Sequence, residues 1–205
     1  MKIKAILLMI LITAVANTGF AREQDAPFGL VWGMTKVQAE KLGVRLEQSS
    51  SSDGLDIFKA TSLPNSVSIA EFYSLTFDRT HHLQRIQMIS KNITGDIYGT
   101  EGKEKYATLK DVLVKKYGQP TNGLERVGME LWNDADEFYQ CLAYEGCGLW
   151  VAIFKHKESE QNILFALKGL GRGKGFIELC YEGPMWFEVV DALKQRRTKA
   201  DEGAL

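Results

Sequence analysis

The chain has 205 residues, with 25 Lys and Arg against 26 Asp and Glu, for a net charge of −1 at pH 7. That balance gives no global attraction to nucleic acid or acidic lipid. Aromatics make up 10% of the residues and prolines number only four, which excludes a disordered chain.

The first predicted element is an export signal. Lys2 and Lys4 give a positive start, and residues 5–16 are apolar apart from Thr13. A membrane-spanning helix needs about 20 apolar residues, so this run is too short to span and stop. Small residues follow it, as in a cleavable secretory signal. Ala14-Val15-Ala16 and Gly19-Phe20-Ala21 both fit a small-x-small cleavage rule. The polar run Arg22-Glu23-Gln24-Asp25 favours the cut after Ala21. Residues 22–205 lose Lys2 and Lys4 with the signal and carry a net −3. This part is expected to be periplasmic or secreted and to have no membrane attachment after cleavage.

Three helices have readable ends. The first covers 35–42: Thr35 and Gln38 form a capping box, and Gly43 supplies a left-handed stop. The second covers about 101–117, with Thr100 as the expected cap and an apolar stripe at Tyr106, Leu109, Val112 and Leu113 edged by the Lys116 stem. Gly118 and Pro120 end it. The third opens at Pro184 with a stripe at Trp186, Val189, Val190 and Leu193, and is expected to fray at Arg196-Arg197.

Strands are predicted between them. Tyr73, Leu75 and Phe77 alternate with polar residues, residues 78–82 turn the chain, and Ile86 and Met88 complete a hairpin. Further strands are expected at 127–132, 138–142, 150–154, 163–167 and 176–181. Residues 49–54 read as a loop by composition, and 133–137 and 169–175 as turns. The predicted class is α+β: an antiparallel sheet with helices packed on one face. The division is 1–21 signal, 22–95 first half and 96–205 second half, with the two halves either separate or one compact domain. A sequence echo links Trp32-Gly33-Met34-Thr35 to Tyr98-Gly99-Thr100 and Lys41-Leu42-Gly43 to Lys116-Tyr117-Gly118. The offsets are unequal, so chance and a tandem of two helix-then-strands units both account for it.

The stretch 28–43, Phe-Gly-Leu-Val-Trp-Gly-Met-Thr-Lys-Val-Gln-Ala-Glu-Lys-Leu-Gly, resembles the opening of small bacterial periplasmic proteins of the SmpA/OmlA and β-lactamase-inhibitor-like type. Residues 113–120 resemble the same helix end. The resemblance implies a binding or assembly role without catalysis. The lipid-bearing cysteine of the SmpA type is missing here.

Candidate chemistry is sparse. His81 and His82 are adjacent and would diverge, and His156 lies between Lys155 and Lys157, a setting that repels a metal. No metal or other cofactor is expected. No G-x-S-x-G nucleophile turn occurs. Cys141 and Cys147 are expected to face each other across a hairpin and form a disulfide. That leaves Cys180 as a free, buried thiol between Glu178 and Glu182. Asn133-Asp134-Ala135-Asp136-Glu137 resembles part of a calcium loop but lacks its glycine and distal glutamate, so a hairpin turn explains it better. In the glycine-rich stretch 169–175, Arg172 and Lys174 are the candidate binding residues. No helix is predicted after these glycines, so they suit a hairpin tip better than a phosphate cradle. Two functions remain open: an exported module that binds a protein partner (an inhibitor, an immunity-type protein or an assembly factor), and an exported hydrolase using carboxylates such as Glu178 and Glu182. Neither the partner nor the oligomeric state can be read from the residues.

Overall fold

The structure is a computed structural model that describes residues 24–129, 131–156 and 161–204. The expected signal and its cleavage site lie outside these residues.

After a short 3-10 turn, Pro27–Gly29, the chain forms α1 (Lys36–Lys41) and four strands: β1 (Glu47–Ser52), β2 (Leu55–Ala60), β3 (Ala70–Asp78) and β4 (His82–Ser90). The short β5 (Ile93–Thr94) leads to α2 (Thr100–Tyr117) and β6 (Asn122–Arg126). Then come α3 (Phe138–Ala143), β7 (Leu149–Lys155), β8 (Asn162–Gly171), β9 (Lys174–Glu182) and α4 (Trp186–Ala204).

One antiparallel sheet contains all nine strands, in the order β1-β2-β3-β4-β9-β8-β7-β6, with β5 beside β9. Each half of the sequence thus gives a helix followed by a four-strand meander. The last strands of the two meanders pair with each other, from Arg85↔Glu182 to Ile89↔Glu178. The stretches 22–95 and 96–205 therefore share a single sheet.

Strand periodicity divides the side chains between two faces. On the first face lie Phe58, Tyr73, Leu75, Ile86, Met88, Phe165, Ile177 and Leu179, all buried. The N-terminal segment and α1 to α3 cover this face. Tyr106 of α2 stacks on Phe165 at 4.5 Å between ring centroids, Phe138 of α3 meets Trp150, and Lys36 of α1 lies over Phe58. The fold is α+β, an antiparallel sheet with helices against its apolar face.

The helix α4 takes a different course. It starts where Met185 N–H donates to Oε1 of the buried Gln84, and the Arg85 guanidinium sits over the Trp186 ring. It then passes the hairpin tips, with Glu188 3.9 Å from His81 and both Arg196 and Arg197 on Asp53. It therefore runs across one end of the sheet.

Several expected elements are corrected. Residues 138–142 form a helix, because Phe138, Tyr139 and Cys141 are all buried against β8 rather than alternating. Residues 49–52 lie in strand β1, which is fully exposed and so carries no burial pattern to betray it. The edge strand β6 is formed by residues 122–126, and the described residues of 127–132 lie beyond it. Residues 133–137 are not a hairpin turn: Asp134 and Glu137 form a capping box that opens a 3-10 turn into α3. α4 does not fray at Arg196 but continues to Ala204, held at that point by Asp53. No helix among the described residues is long and apolar enough to cross a membrane.

Candidate functional site

The second face of the sheet is left uncovered by α1 to α3. Strand register places a row across six strands: Phe72, Ile89, Glu178, Ala166, Val151 and Leu124. Phe176 and Lys168 pair beside it, and Lys174 follows on the same side of β9. Phe72, Ile89, Phe176, Leu164 and Val151 are all half-buried, so the face presents apolar surface to solvent. An antiparallel sheet with one solvated face usually places polar side chains there, so these exposed apolar groups mark the face.

Charge lies both within that row, at Glu178, and around it. The Lys59 ammonium sits 4.7 Å from the Phe72 ring centroid. Glu178 accepts from Gln87 Nε2 at 2.8 Å and has Lys168 at 3.9 Å. The central carboxylate is thus already engaged, while Lys59, Lys168 and Lys174 line the rim.

Toward α4 the same face becomes buried. Thr76, Asp78 and Cys180 are all buried. Arg85 Nε donates to Cys180 Sγ at 3.0 Å. Burial pushes the Cys180 thiol up; Arg85 pulls it back only in part, and Glu182 and Glu178 raise it further. This is a quiet thiol rather than a nucleophile.

The glycine-rich stretch 169–175 serves packing. Gly169 and Gly175 pair across β8 and β9. A Cβ on Gly169 would come within 2.0 Å of the Tyr139 carbonyl oxygen, and one on Gly175 within 2.2 Å of the Tyr139 ring. These glycines let α3 lie directly on the sheet. The turn itself is Arg172-Gly173, and Arg172 is ion-paired with Asp136, which ties the tip to the segment before α3. Only Lys174 of the two candidate residues shares the side of Phe176.

Tyr139 joins a second cluster. Its hydroxyl donates to Asp96 Oδ2 at 2.9 Å, which also accepts the Gly102 N–H at 2.9 Å. Burial works against the Asp96 carboxylate, but the Gly102 N–H, the Tyr139 hydroxyl and the N–H groups of Glu101 and Thr100 together hold its pKa below the usual value. Asp96 therefore caps α2, while Thr100 is helical and Gly99 occupies the N-cap with φ 70°. The expected role of Thr100 as cap is corrected.

The disulfide partners are not opposed strand residues. Cys141 lies in α3 and Cys147 in the loop before β7, both fully buried, with Cα atoms 5.1 Å apart at disulfide distance. The hairpin expected around them is replaced by the end of a helix and a turn back to β7.

The histidines do not converge. His81 faces Glu188, His82 opens β4 with φ 56°, and the His156 ring lies 5.9 Å from that of Tyr117. No group of three or more potential metal ligands occurs among the described residues. Glu178 and Glu182 stand four residues apart on β9, about 13 Å between Cα atoms. Gln87 engages the first and Asn162 the second. Two carboxylates flanking one scissile bond lie within about 10 Å of each other, so this arrangement gives little support to paired acid–base chemistry. Comparison with protein-family models, curated proteins and solved structures returns no match.

Proposed function

We propose that this chain is an exported module that binds another protein through the open sheet face and performs no catalysis itself. The observation that carries the reading is the set of half-buried apolar side chains Phe72, Ile89, Phe176, Leu164 and Val151 around the engaged Glu178, on a face rimmed by Lys59, Lys168 and Lys174. Aromatic and aliphatic groups on a rigid sheet can anchor a partner without an ordering penalty. Rim lysines steer encounter more than they add affinity. The partner is therefore a folded protein with an acidic border around an apolar centre. The disulfide-distance cysteine pair supports an oxidising compartment, and the resemblance to small periplasmic binding proteins points the same way.

The first experiment is capture from periplasmic extract with chain 22–205 as bait, followed by the double variant Lys168→Glu, Lys174→Glu. The variant should associate at least tenfold more slowly with the captured partner, most markedly at low salt, and melt within about 2 °C of the parent. Association at the parental rate would show that the rim takes no part. Turnover of any substrate that a single carboxylate replacement abolishes would overturn the reading in favour of a hydrolase.

A further inference from the structure

Packed cores hold few voids larger than a water molecule. Beside α2, however, the apolar face of the sheet opens to solvent through a cleft rather than being closed over. Between α2, the N-terminal 3-10 turn and the β2–β3 connection lies a cavity of about 330 Å³ over Met88, Leu179 and Tyr181, where the two meanders meet. It lies on the other side of the sheet from the proposed partner surface. Its side walls include Phe28, Leu109 and Val112.

Three features give the space a character. The lining is predominantly apolar, so water filling it would find few partners. One cation, Lys116, stands one helical turn beyond Val112, and no carboxylate lines the space among the described residues. Phe28 has φ 62°, a left-handed backbone that is unfavourable for a non-glycine residue. Its ring is fixed against Tyr73 at 5.0 Å and Tyr181 at 5.7 Å between centroids. The backbone is thus held in an unfavourable state that keeps the Phe28 ring as a wall of the cavity. Backbone of this kind collects at ligand clamps.

We propose that this cavity binds a single-chain anionic amphiphile, a medium-chain fatty acid, with the chain against Leu179 and Tyr181 and the carboxylate at the mouth on Lys116. A water takes about 30 Å³ of liquid and a methylene a similar volume, so the cavity accommodates about ten chain atoms. That length suits decanoate or dodecanoate. Ligand pockets of this kind combine an apolar lining with one or a few polar groups that fix orientation.

Titration calorimetry of chain 22–205 with dodecanoate, below its micellar concentration, tests the assignment. The expected result is one saturable site per chain, with dodecanol binding more weakly and dodecyltrimethylammonium more weakly still. Val112 is 56% exposed, so Val112→Trp can fill the mouth while the fold persists, which the melting temperature checks. It should weaken dodecanoate at least tenfold. Lys116→Glu, also at an exposed position, should weaken dodecanoate about tenfold and remove the preference over the cationic head. Absence of saturable binding overturns the proposal. So does parental affinity in a folded Val112→Trp protein. Equal binding of anionic and cationic chains by the parent overturns the role of Lys116 and with it the ligand class.

Discussion

Tyr139 shows how much a single side chain decides here. Its hydroxyl serves Asp96, its ring fills the space above Gly175, and its carbonyl lies where a Gly169 side chain would be. Gly169→Ala should therefore force α3 off the sheet and cost about 3 kcal/mol, read as a lowered melting temperature and denaturant midpoint. A second prediction concerns the thiols. Peptide mapping under non-reducing conditions should recover Cys141 joined to Cys147. Cys180 should resist alkylation at pH 8 until the protein is denatured, because it is buried and its thiol is pushed up. Removing the Cys141–Cys147 link should cost about 2 kcal/mol on the chain-entropy account, since the loop it closes is short. In the glycine-rich stretch that drew attention as a possible anion site, Gly169 and Gly175 are required by this packing. Sequence alone could not show it, because Tyr139 lies some thirty residues away in the chain.

At the scale of elements, local rules were legible where local physics decides. The Thr35–Gln38 capping box is present, with Thr35 N–H donating to Gln38 Oε1 at 2.7 Å, and Gly43 takes φ 85°. α2 ends at Gly118 as read. The β3–β4 hairpin and the strands β7 to β9 follow their alternation. Errors came where tertiary contact overrides the local pattern. Residues 138–142 have strand-like composition, yet the close approach allowed by Gly169 turns them into a helix. The serines of β1 pair only with β2 and bury nothing. The cap of α2 shows the same lesson, because Asp96 reaches the helix from six residues before Gly102. Replacing Asp96 with Ala should cost about 1 kcal/mol at pH 7. Its folded pKa is depressed, so the stabilisation is present above the unfolded value near 3.8 and is lost as pH falls through the folded one. The gap in stability between parent and Asp96→Ala should therefore close as pH falls from about 5 toward 2, measured by denaturant titration across that range.

At the scale of the whole molecule, the two halves act as one sheet with two unlike faces. Residues 22–95 and 96–205 each supply a helix and a meander, in an order that reads the same from either edge. The sequence echo at Trp32-Gly33 and Tyr98-Gly99 lies at corresponding places before α1 and α2. The seam where the meanders meet was hidden in the sequence, since it depends on β4 finding β9 across the intervening chain. An open face follows from the fold class, but which residues give it apolar character, among them Phe72, Ile89 and Val151, depends on β-register across six strands, which cannot be read from local pattern.

The seam also sets the order of events as the chain is made. During synthesis β4 has its β3 neighbour early, yet its other edge stays bare until residues 178–182 emerge, about ninety residues later. Over that interval the apolar side of β4, with Leu83, Ile86 and Met88, borders an unpaired ladder of backbone N–H and C=O groups. Closing so long a loop is slow, and an open strand edge of this kind can recruit the same strand from another copy. Refolding from denaturant at high protein concentration should therefore give an exchanged dimer, in which β9 of each copy completes β4 of the other, and dilute refolding should give the monomer. Size-exclusion chromatography of the two preparations distinguishes them.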